Sequence, residues 1–320
     1  MKFSVVIPLY NKECYVARAI RSVFAQTYDD YELVVVDDGS SDGSLEVVQK
    51  EMEGRAGCRV VSQNNSGVAR ARNHGVEMSR GEYICFLDAD DWWESTFLEE
   101  MERLVLVCPD AGLYGTSFYL VKHGKRRVAP IGVERGFVEG YINYCQTYAR
   151  TLCMPITSSS VAVPRQVFLS IGGFREGISL GEDFDLWIRI ALHHRVALVN
   201  KPLANYFQDM PSSRRATRRL HNPTHHMLWN LDYLEEEEGR NADYKLLIDR
   251  LRASGLYRYY LSRHYHAEAL NQLEKIDWSH IPQNTYRLYR SPLWWQRLRF
   301  GVRTRAAATK SALLRLKDLL

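Results

Sequence analysis

Four short apolar runs constrain this chain more than any other feature: FSVVIPL at 3–9, YELVVVDD at 31–38, CRVVSQ at 58–63 and YICFLD at 83–88. Each is rich in β-branched or aromatic residues, and its apolar positions are successive rather than alternate. Strands buried on both faces carry that pattern. Between the runs the period changes. Val16, Ile20, Val23 and Phe24 recur at helical spacing and predict a helix over 15–26. The loop 39–43 leads to a helix from about 45, Gly67 opens one through Ala69, Arg72 and Val76, and a fourth covers about 95–107. Strand and helix in alternation predict an α/β fold, a mostly parallel sheet with helices on both faces.

Ligands of open parallel sheets bind beyond the carboxyl ends of the strands. Polar residues gather there in this chain. The first run ends in Pro8-Leu9-Tyr10-Asn11, the second in Asp37-Asp38-Gly39-Ser40 and the fourth in Asp88-Ala89-Asp90-Asp91. Asp88 and Asp90 stand two apart in extended chain and therefore face one side. Two carboxylates so placed repel. A divalent cation is the simplest neutraliser, since Mg²⁺ or Mn²⁺ commonly takes one or two carboxylates plus substrate phosphates. The competing reading is a cap for the next helix, and it is kept for Asp91. A carboxylate at the position of Asp38 in a nucleotide-binding fold accepts hydrogen bonds from ribose or base. Neither GxGxxG after the first strand nor GxxxxGK[ST] occurs. A dinucleotide dehydrogenase and a P-loop are thus poorly supported. A diphosphate would be held by metal and arginine instead, and Arg70 and Arg72 in SGVARARN can supply that charge.

From 112 to 160 glycines and Pro130 break the pattern, and antiparallel strands and loops are expected. A strand and a helix begun by Pro164 follow, stopping at Gly172-Gly173. GEDFDLWIRIALHH then reads as a helix with Phe184, Trp187, Ile188 and Ala191 on one face, and RVALVN as a strand. Beyond about 212 charged helical segments take over. Two domains are expected, 1–212 and a mainly helical 213–320.

The formal net charge of +4 is unevenly spread. Residues 286–320 hold nine Lys or Arg and one Asp, a net of +8, which leaves −4 on the rest. Trp294, Leu298 and Val302 can share a helical face flanked by Arg297, Arg299 and Arg303. Leu313, Leu316 and Leu320 continue it beside Lys310, Arg315 and Lys317. Such a tail suits either an anionic membrane surface or packing on protein, its own or a second subunit's. No apolar run reaches the 18 residues a spanning helix needs, and MKFSVVIPLYNKE does not read as a signal peptide. Six cysteines without CxxC spacing read as reduced thiols. A cytoplasmic chain, peripheral on the inner membrane face if the tail binds lipid, is the resulting expectation. Nucleic acid is not an expected partner.

In order and spacing, SVVIPLYN, ELVVVDDGSSDGS, SGVARARNHG, GEYICFLDADD and GGFREGISLGEDFDLWIR resemble family 2 glycosyltransferases of the GT-A fold. The resemblance covers roughly residues 2–210. It implies an inverting transferase with a nucleotide-sugar donor, here a UDP-sugar, acting on a glycan or lipid-linked acceptor in surface polysaccharide or lipopolysaccharide synthesis. By position Asp38 matches the uracil-contacting aspartate, with Pro8 and Tyr10 along the nucleoside. Asp88 and Asp90 match the metal motif, Asp90 as the more direct ligand. Asp183 matches the catalytic base, and Gly173, Phe174 and Glu182 border the acceptor side. One departure stands out. Where relatives carry a Tyr-Arg-x-His-like stretch, this chain has Tyr206-Phe207-Gln208-Asp209, and Arg214 or Arg215 is the substitute at hand.

Plainer roles are assigned elsewhere. His221 and His225, with Pro223 between them, read as surface or interface histidines; one of Trp92 and Trp93 as packing; Trp187 as core; Arg189 as surface charge. A nucleotidyltransferase would share the phosphate logic but calls for a glycine-rich loop with a basic residue after the first strand, and PLYNKE has no glycine. A non-catalytic carbohydrate-binding relative is opposed by the intact set Asp38, Asp88, Asp90 and Asp183. A homo-oligomer is compatible with either.

Overall fold

The computed structural model describes residues 1–209 and 220–300. The chain divides into two compact units, Met1–Tyr244 and Lys245–Leu320. The division falls later than the compositional shift near 212.

The first unit opens with the expected alternation: β1 (Phe3–Leu9), α1 (Val16–Phe24), β2 (Tyr31–Asp37), α2 (Ser44–Met52), β3 (Cys58–Ser62), α3 (Val68–Glu77) and β4 (Tyr83–Phe86). It continues through β5 (Trp92–Trp93), α4 (Phe97–Val107), β6 (Ala111–Lys122), β7 (Lys125–Val128) and β8 (Glu139–Ile142). Next come α5 (Tyr144–Thr151), β9 (Val161–Pro164), α6 (Arg165–Ser170), α7 (Glu182–His193), β10 (Arg195–Phe207) and α8 (Glu235–Arg240).

The strands form one ten-stranded sheet in the order β3-β2-β1-β4-β9-β6-β10-β5, with β7 on β6 and β8 on β10. Strands β3, β2, β1 and β4 run parallel, and β4–β9 and β9–β6 are antiparallel. The sheet is therefore mixed, parallel in the half that carries the acids. All seven residues of β1 are buried, as its unbroken apolar run requires. Leu9 lies opposite Asp37 in register, and Phe86 opposite Val6, so β1, β2 and β4 end at a common edge. Helix α3 packs closely above them. A Cβ at Gly75 would stand 2.3 Å from Val6 Cγ1, so only glycine permits this approach.

Three local expectations change. RVALVN is only the start of β10, which runs for 13 residues with register shifts around Pro202. Proline has no ladder N–H, which is why the sequence looked like a strand end there. Asp91 is no helix cap. Thr96 precedes α4, and Asp91 is buried, accepting from Ser159 Oγ at 2.6 Å and from the Phe207 amide at 2.8 Å. Arg189 is likewise buried and paired with Asp185, not a surface charge.

The second unit contains most of α9 (Ala242–Gly255), with α10 (Tyr257–Leu261), α11 (His266–Glu274), α12 (Gln283–Arg290) and a helical stretch at 293–300. Leu247, Ile248, Leu256, Tyr259 and Leu273 are buried in it. Buried Asp249 accepts from Lys245 Nζ at 2.6 Å and the Asp277 amide at 3.2 Å, and lies 2.8 Å from His280 Nδ1. Trp294 and Leu298 are exposed, but Val302, Arg303 and the residues after them lie outside the described residues, as do Arg214 and Arg215. No helix among the described residues is long and apolar enough to cross a membrane.

Candidate active site

A cleft of about 450 Å³ opens where β1, β2 and β4 end. Pro8, Leu9 and Tyr10 line it from β1, Asp38 from β2, and Asp88, Ala89 and Asp90 from β4. Helix α3 adds Arg72, α7 adds Glu182, and β10 adds Tyr206 and Phe207. Residues far apart in sequence converge because three parallel strands finish at one edge and two helices start over it.

Asp38 is buried and held by three donors: Gln63 Nε2 at 2.8 Å and the Ser66 amide at 2.8 Å on Oδ1, and the Gly67 amide at 2.9 Å on Oδ2. An ionised carboxylate offers about four acceptor directions, so one remains for a ligand. The same bonds tie the end of β2 to the start of α3, so Asp38 also shapes the cleft wall.

The acids after β4 are not left to repel one another. Arg72 Nη2 donates to Asp88 Oδ1 at 2.7 Å, and Lys12 Nζ donates to Asp90 Oδ2 at 2.7 Å. Arg18 Nη2 donates to the Asp90 carbonyl at 2.7 Å, with its guanidinium 3.7 Å above the Trp92 ring. Two of the three acids, Asp88 and Asp90, therefore each have a basic partner from another segment, and their mutual repulsion is partly offset within the protein. Asp91 is pushed well above the usual carboxylate range by burial and by the charges of Asp90 and Asp88. Both its oxygens already accept, from Ser159 Oγ and the Phe207 amide. The donor set that remains is one oxygen each of Asp88 and Asp90 without a protein donor among the described residues. Hard oxygen donors in that number fit Mg²⁺ or Mn²⁺ taking its other ligands from phosphate and water. Among the described residues no group of three or more such side chains could hold a metal without a substrate's help.

Arg72 and Arg70 part company. Arg72 is 2% exposed and spans Asp88 and Glu182, its Nη1 lying 2.9 Å from Glu182 Oε1. Burial alone would lower its pKa, but the charges of Asp88, Glu182 and Asp183 outweigh it and hold Arg72 above the ordinary arginine value. It braces the two walls. Arg70, two residues away on α3, pairs with Glu77 at 3.3 Å and Glu176 at 3.5 Å and does not line the cleft. Positions two apart on a helix face different ways.

On the opposite wall α7 begins at Gly181, whose φ of 86° is the left-handed conformation glycine favours. A Cβ there would also meet Met227 at 2.4 Å. Asp183 sits in the first turn. Its Oδ1 accepts from the Phe184 amide at 2.8 Å and its Oδ2 from Ser158 Oγ at 3.3 Å. Burial, then the charge of Glu182, pushes it up to about 7, against the pull of Arg72. Glu182 faces the cleft, whereas Asp183 lies behind it and is not among the lining residues. Gly173 and Phe174 work from below. Phe174 is buried between Phe86, Phe168 and Trp187, and the Gly173 carbonyl accepts from Arg189 Nη2 at 2.6 Å.

Several residues escaped the sequence reading. Asp185 is buried beneath α7 and accepts from Tyr233 OH at 2.6 Å, Arg175 Nη1 at 3.1 Å and Arg189 Nε at 3.1 Å. The chain around His225 clamps the glycine-rich loop, Ser179 N donating to the His225 carbonyl at 2.9 Å while His225 Nδ1 lies 2.8 Å from the Gly177 carbonyl. Lys12 had a visible signal, a basic residue directly after the first strand, where phosphates bind. No glycine-rich loop accompanies it, so the signal is weak in sequence alone. Trp93 is the packing tryptophan, stacked on Phe97 at 4.0 Å, while Trp92 carries Arg18.

An acid-lined crevice at the parallel end of a mixed sheet, faced by a carboxylate pair on a helix start, is the arrangement of the GT-A architecture. Residues 4–141 match the family model described as Glycosyl transferase family 2. Residues 4–141 thus carry a glycosyltransferase family 2 domain. The chain is similar to the cholesterol galactosyltransferase of Borreliella burgdorferi, 26% identical over 91% of this chain and 81% of that protein. The amylovoran biosynthesis glycosyltransferase AmsB of Erwinia amylovora is 29% identical over 64% of this chain and 69% of its own. Several other curated relatives are longer proteins, of which the matched segment spans only 15–39%. In fold, the crystal structure of Staphylococcus aureus TarS 1–349 in complex with UDP-GlcNAc superposes with a TM-score of 0.72 at 18% identity, over 93% of this chain and 88% of that one.

Proposed function

We propose that this chain is an inverting glycosyltransferase that moves a sugar from a UDP-sugar to a hydroxyl of a glycan or lipid-linked acceptor. The observation that carries the reading is the convergence of Asp38, the Asp88–Asp90 pair and Glu182 on one cleft, with Asp183 directly behind Glu182. UDP-GlcNAc bound to TarS, and the amylovoran and cholesterol named for AmsB and the Borreliella enzyme, support the donor and acceptor classes.

The residues divide the work. Asp38 takes the uracil through its remaining acceptor direction, and Pro8 and Tyr10 lie along the nucleoside. The diphosphate comes to rest against the ends of Asp88 and Asp90. Charge neutralisation on the departing nucleoside diphosphate is the chemistry a Mg²⁺ or Mn²⁺ at Asp90 and Asp88 supplies when bound. Asp183 receives the proton of the acceptor hydroxyl, which is a poor nucleophile until that proton leaves. Attack from the face opposite the leaving group then inverts the anomeric carbon.

The test is transfer or hydrolysis of UDP-sugars with Mn²⁺ and with excess EDTA, followed by NMR of the product anomer. Metal-dependent turnover with inverted configuration is expected. A retained configuration sinks the mechanism, and full turnover in EDTA sinks the metal.

A further inference from the structure

Lys12 stands where a cation and a diphosphate would both have to be received. Its amide donates to Ser44 Oγ at 2.7 Å, which fixes the backbone of the β1–α1 connection. Its ammonium lies 2.7 Å from Asp90 Oδ2, and its side chain lines the cleft between Asp38 and the β4 acids. Of the three cations around those acids, Lys12 is the one built to leave. Arg72 is enclosed at 2% exposure and bound to two carboxylates. Arg18 is held to the Asp90 carbonyl, with Trp92 at 3.7 Å and Phe207 at 4.7 Å from its guanidinium. Lys12 and Asp90 are 23% and 20% exposed, and Lys12 makes a single side-chain bond among the described residues. A lysine ammonium is a point charge on a flexible stem, able to exchange one anion for another nearby. A divalent cation at Asp90 would lie against that ammonium, and like charges at contact distance repel strongly in a partly buried site.

We propose that Lys12 is a place-holder counter-ion: it occupies Asp90 while the cleft lacks donor, and shifts onto the diphosphate when a divalent cation takes Asp90. This rests on the reading of the cleft as a nucleotide-sugar site. It has a consequence of opposite sign for two ligands, since Lys12 competes with the metal and assists the diphosphate.

The experiment compares wild type with Lys12→Met and Lys12→Gln, which keep most of the side-chain length and remove charge, after thermal melting confirms that each is folded. Mn²⁺ alone is titrated and free Mn²⁺ read by electron paramagnetic resonance; UDP is titrated at saturating Mn²⁺ by calorimetry. Both variants are expected to bind Mn²⁺ roughly three- to tenfold more tightly, the range of a partly exposed ion pair. They should bind UDP on the order of tenfold more weakly, the size of a lost charge-assisted contact. In an Asp90→Asn background the gain for Mn²⁺ should vanish. Unchanged Mn²⁺ affinity, or weaker binding of both ligands as from a residue that merely braces the loop, overturns the place-holder and leaves the donor-site reading standing. Absence of UDP binding by wild type with and without Mn²⁺ overturns both.

Discussion

The two banks of the cleft treat charge in opposite ways. On the strand bank each carboxylate is met by a donor that holds it in place. Asp38 has three hydrogen bonds, Asp88 has Arg72, Asp90 has Lys12, and Asp91 is sealed by Ser159 and the Phe207 amide. On the helix bank Asp183 has, among the described residues, only the next amide of its own helix and a long bond from Ser158. A carboxylate desolvated beside a second acid holds its proton more readily. One bank is braced by donors, and the other carries a carboxylate that burial and a neighbouring acid push upward. The contrast also separates two neighbours. Glu182 faces the cleft but is tied to Arg72, while Asp183 is set back and poorly satisfied.

The largest effect is expected on the helix bank. Asp183→Asn keeps shape and removes basicity, and should cut transfer by about 10²–10⁴-fold, the usual range for a general base, with UDP-sugar affinity nearly intact. Because Asp183 is pushed up to about 7, wild-type transfer should rise with pH through that region and level off above it. Glu182→Gln should slow transfer less. Stopped assays across pH 5–9 decide the matter; a larger loss in the Gln variant would exchange the roles of the two acids and break the contrast.

On the strand bank the effect should fall on affinity. Asp38→Ala removes a buried charged acceptor and should weaken UDP binding by about 1.5–3 kcal/mol. It also frees the Ser66 and Gly67 amides, so part of the loss comes from the wall itself. Asp38→Asn, which keeps a carbonyl acceptor, should recover some of it. Equal UDP affinity for wild type and both variants in calorimetry removes Asp38 from the nucleoside site.

What the sequence made legible follows the same divide. The parallel strands and their acidic ends could be read because a two-sided strand is a local pattern: β1, β2 and β4 are continuous apolar runs with acids directly after them. The counter-ions could not be read that way. Lys12 and Asp90 are 78 positions apart, and Arg72 and Glu182 are 110 apart, and no periodicity links such pairs. Two carboxylates at a strand end look unneutralised until the fold brings basic side chains over them. The second half of the sheet was obscure for another reason. Pro202 hides the second part of β10, and β5 is a two-residue strand, Trp92–Trp93, paired only with Ala204 and Asn205. Asp183 was found through its motif, but its setting behind Glu182 depends on Ser158 and on the clamp from residues 221–229, which a helical pattern does not reveal.

The smallest expected effect is on stability, and it tests the contrast without any substrate. An unfolded aspartate titrates near ~4. In the folded chain Asp183 titrates at about 7. Between those values the folded state keeps a proton that the unfolded state has lost, so this group makes stability fall as pH rises across the window. Below it both states are protonated and the group contributes no difference; above it the full cost of a desolvated charge is present. Asp183→Asn cannot ionise. Its melting temperature relative to wild type should therefore rise steadily from pH 4 to pH 7 and then stay level, reaching a gain of ~2–4 °C, the shift that about 1 kcal/mol gives in a chain of this size. Taking the difference between the two proteins cancels every titrating group they share, apart from Glu182, whose own charge contributes to the shift of Asp183. Repeating the scan in Glu182→Gln separates that contribution and should narrow the window from its upper end. A difference between wild type and the Asn variant that does not vary with pH would show that Asp183 is as well accommodated as the acids across the cleft.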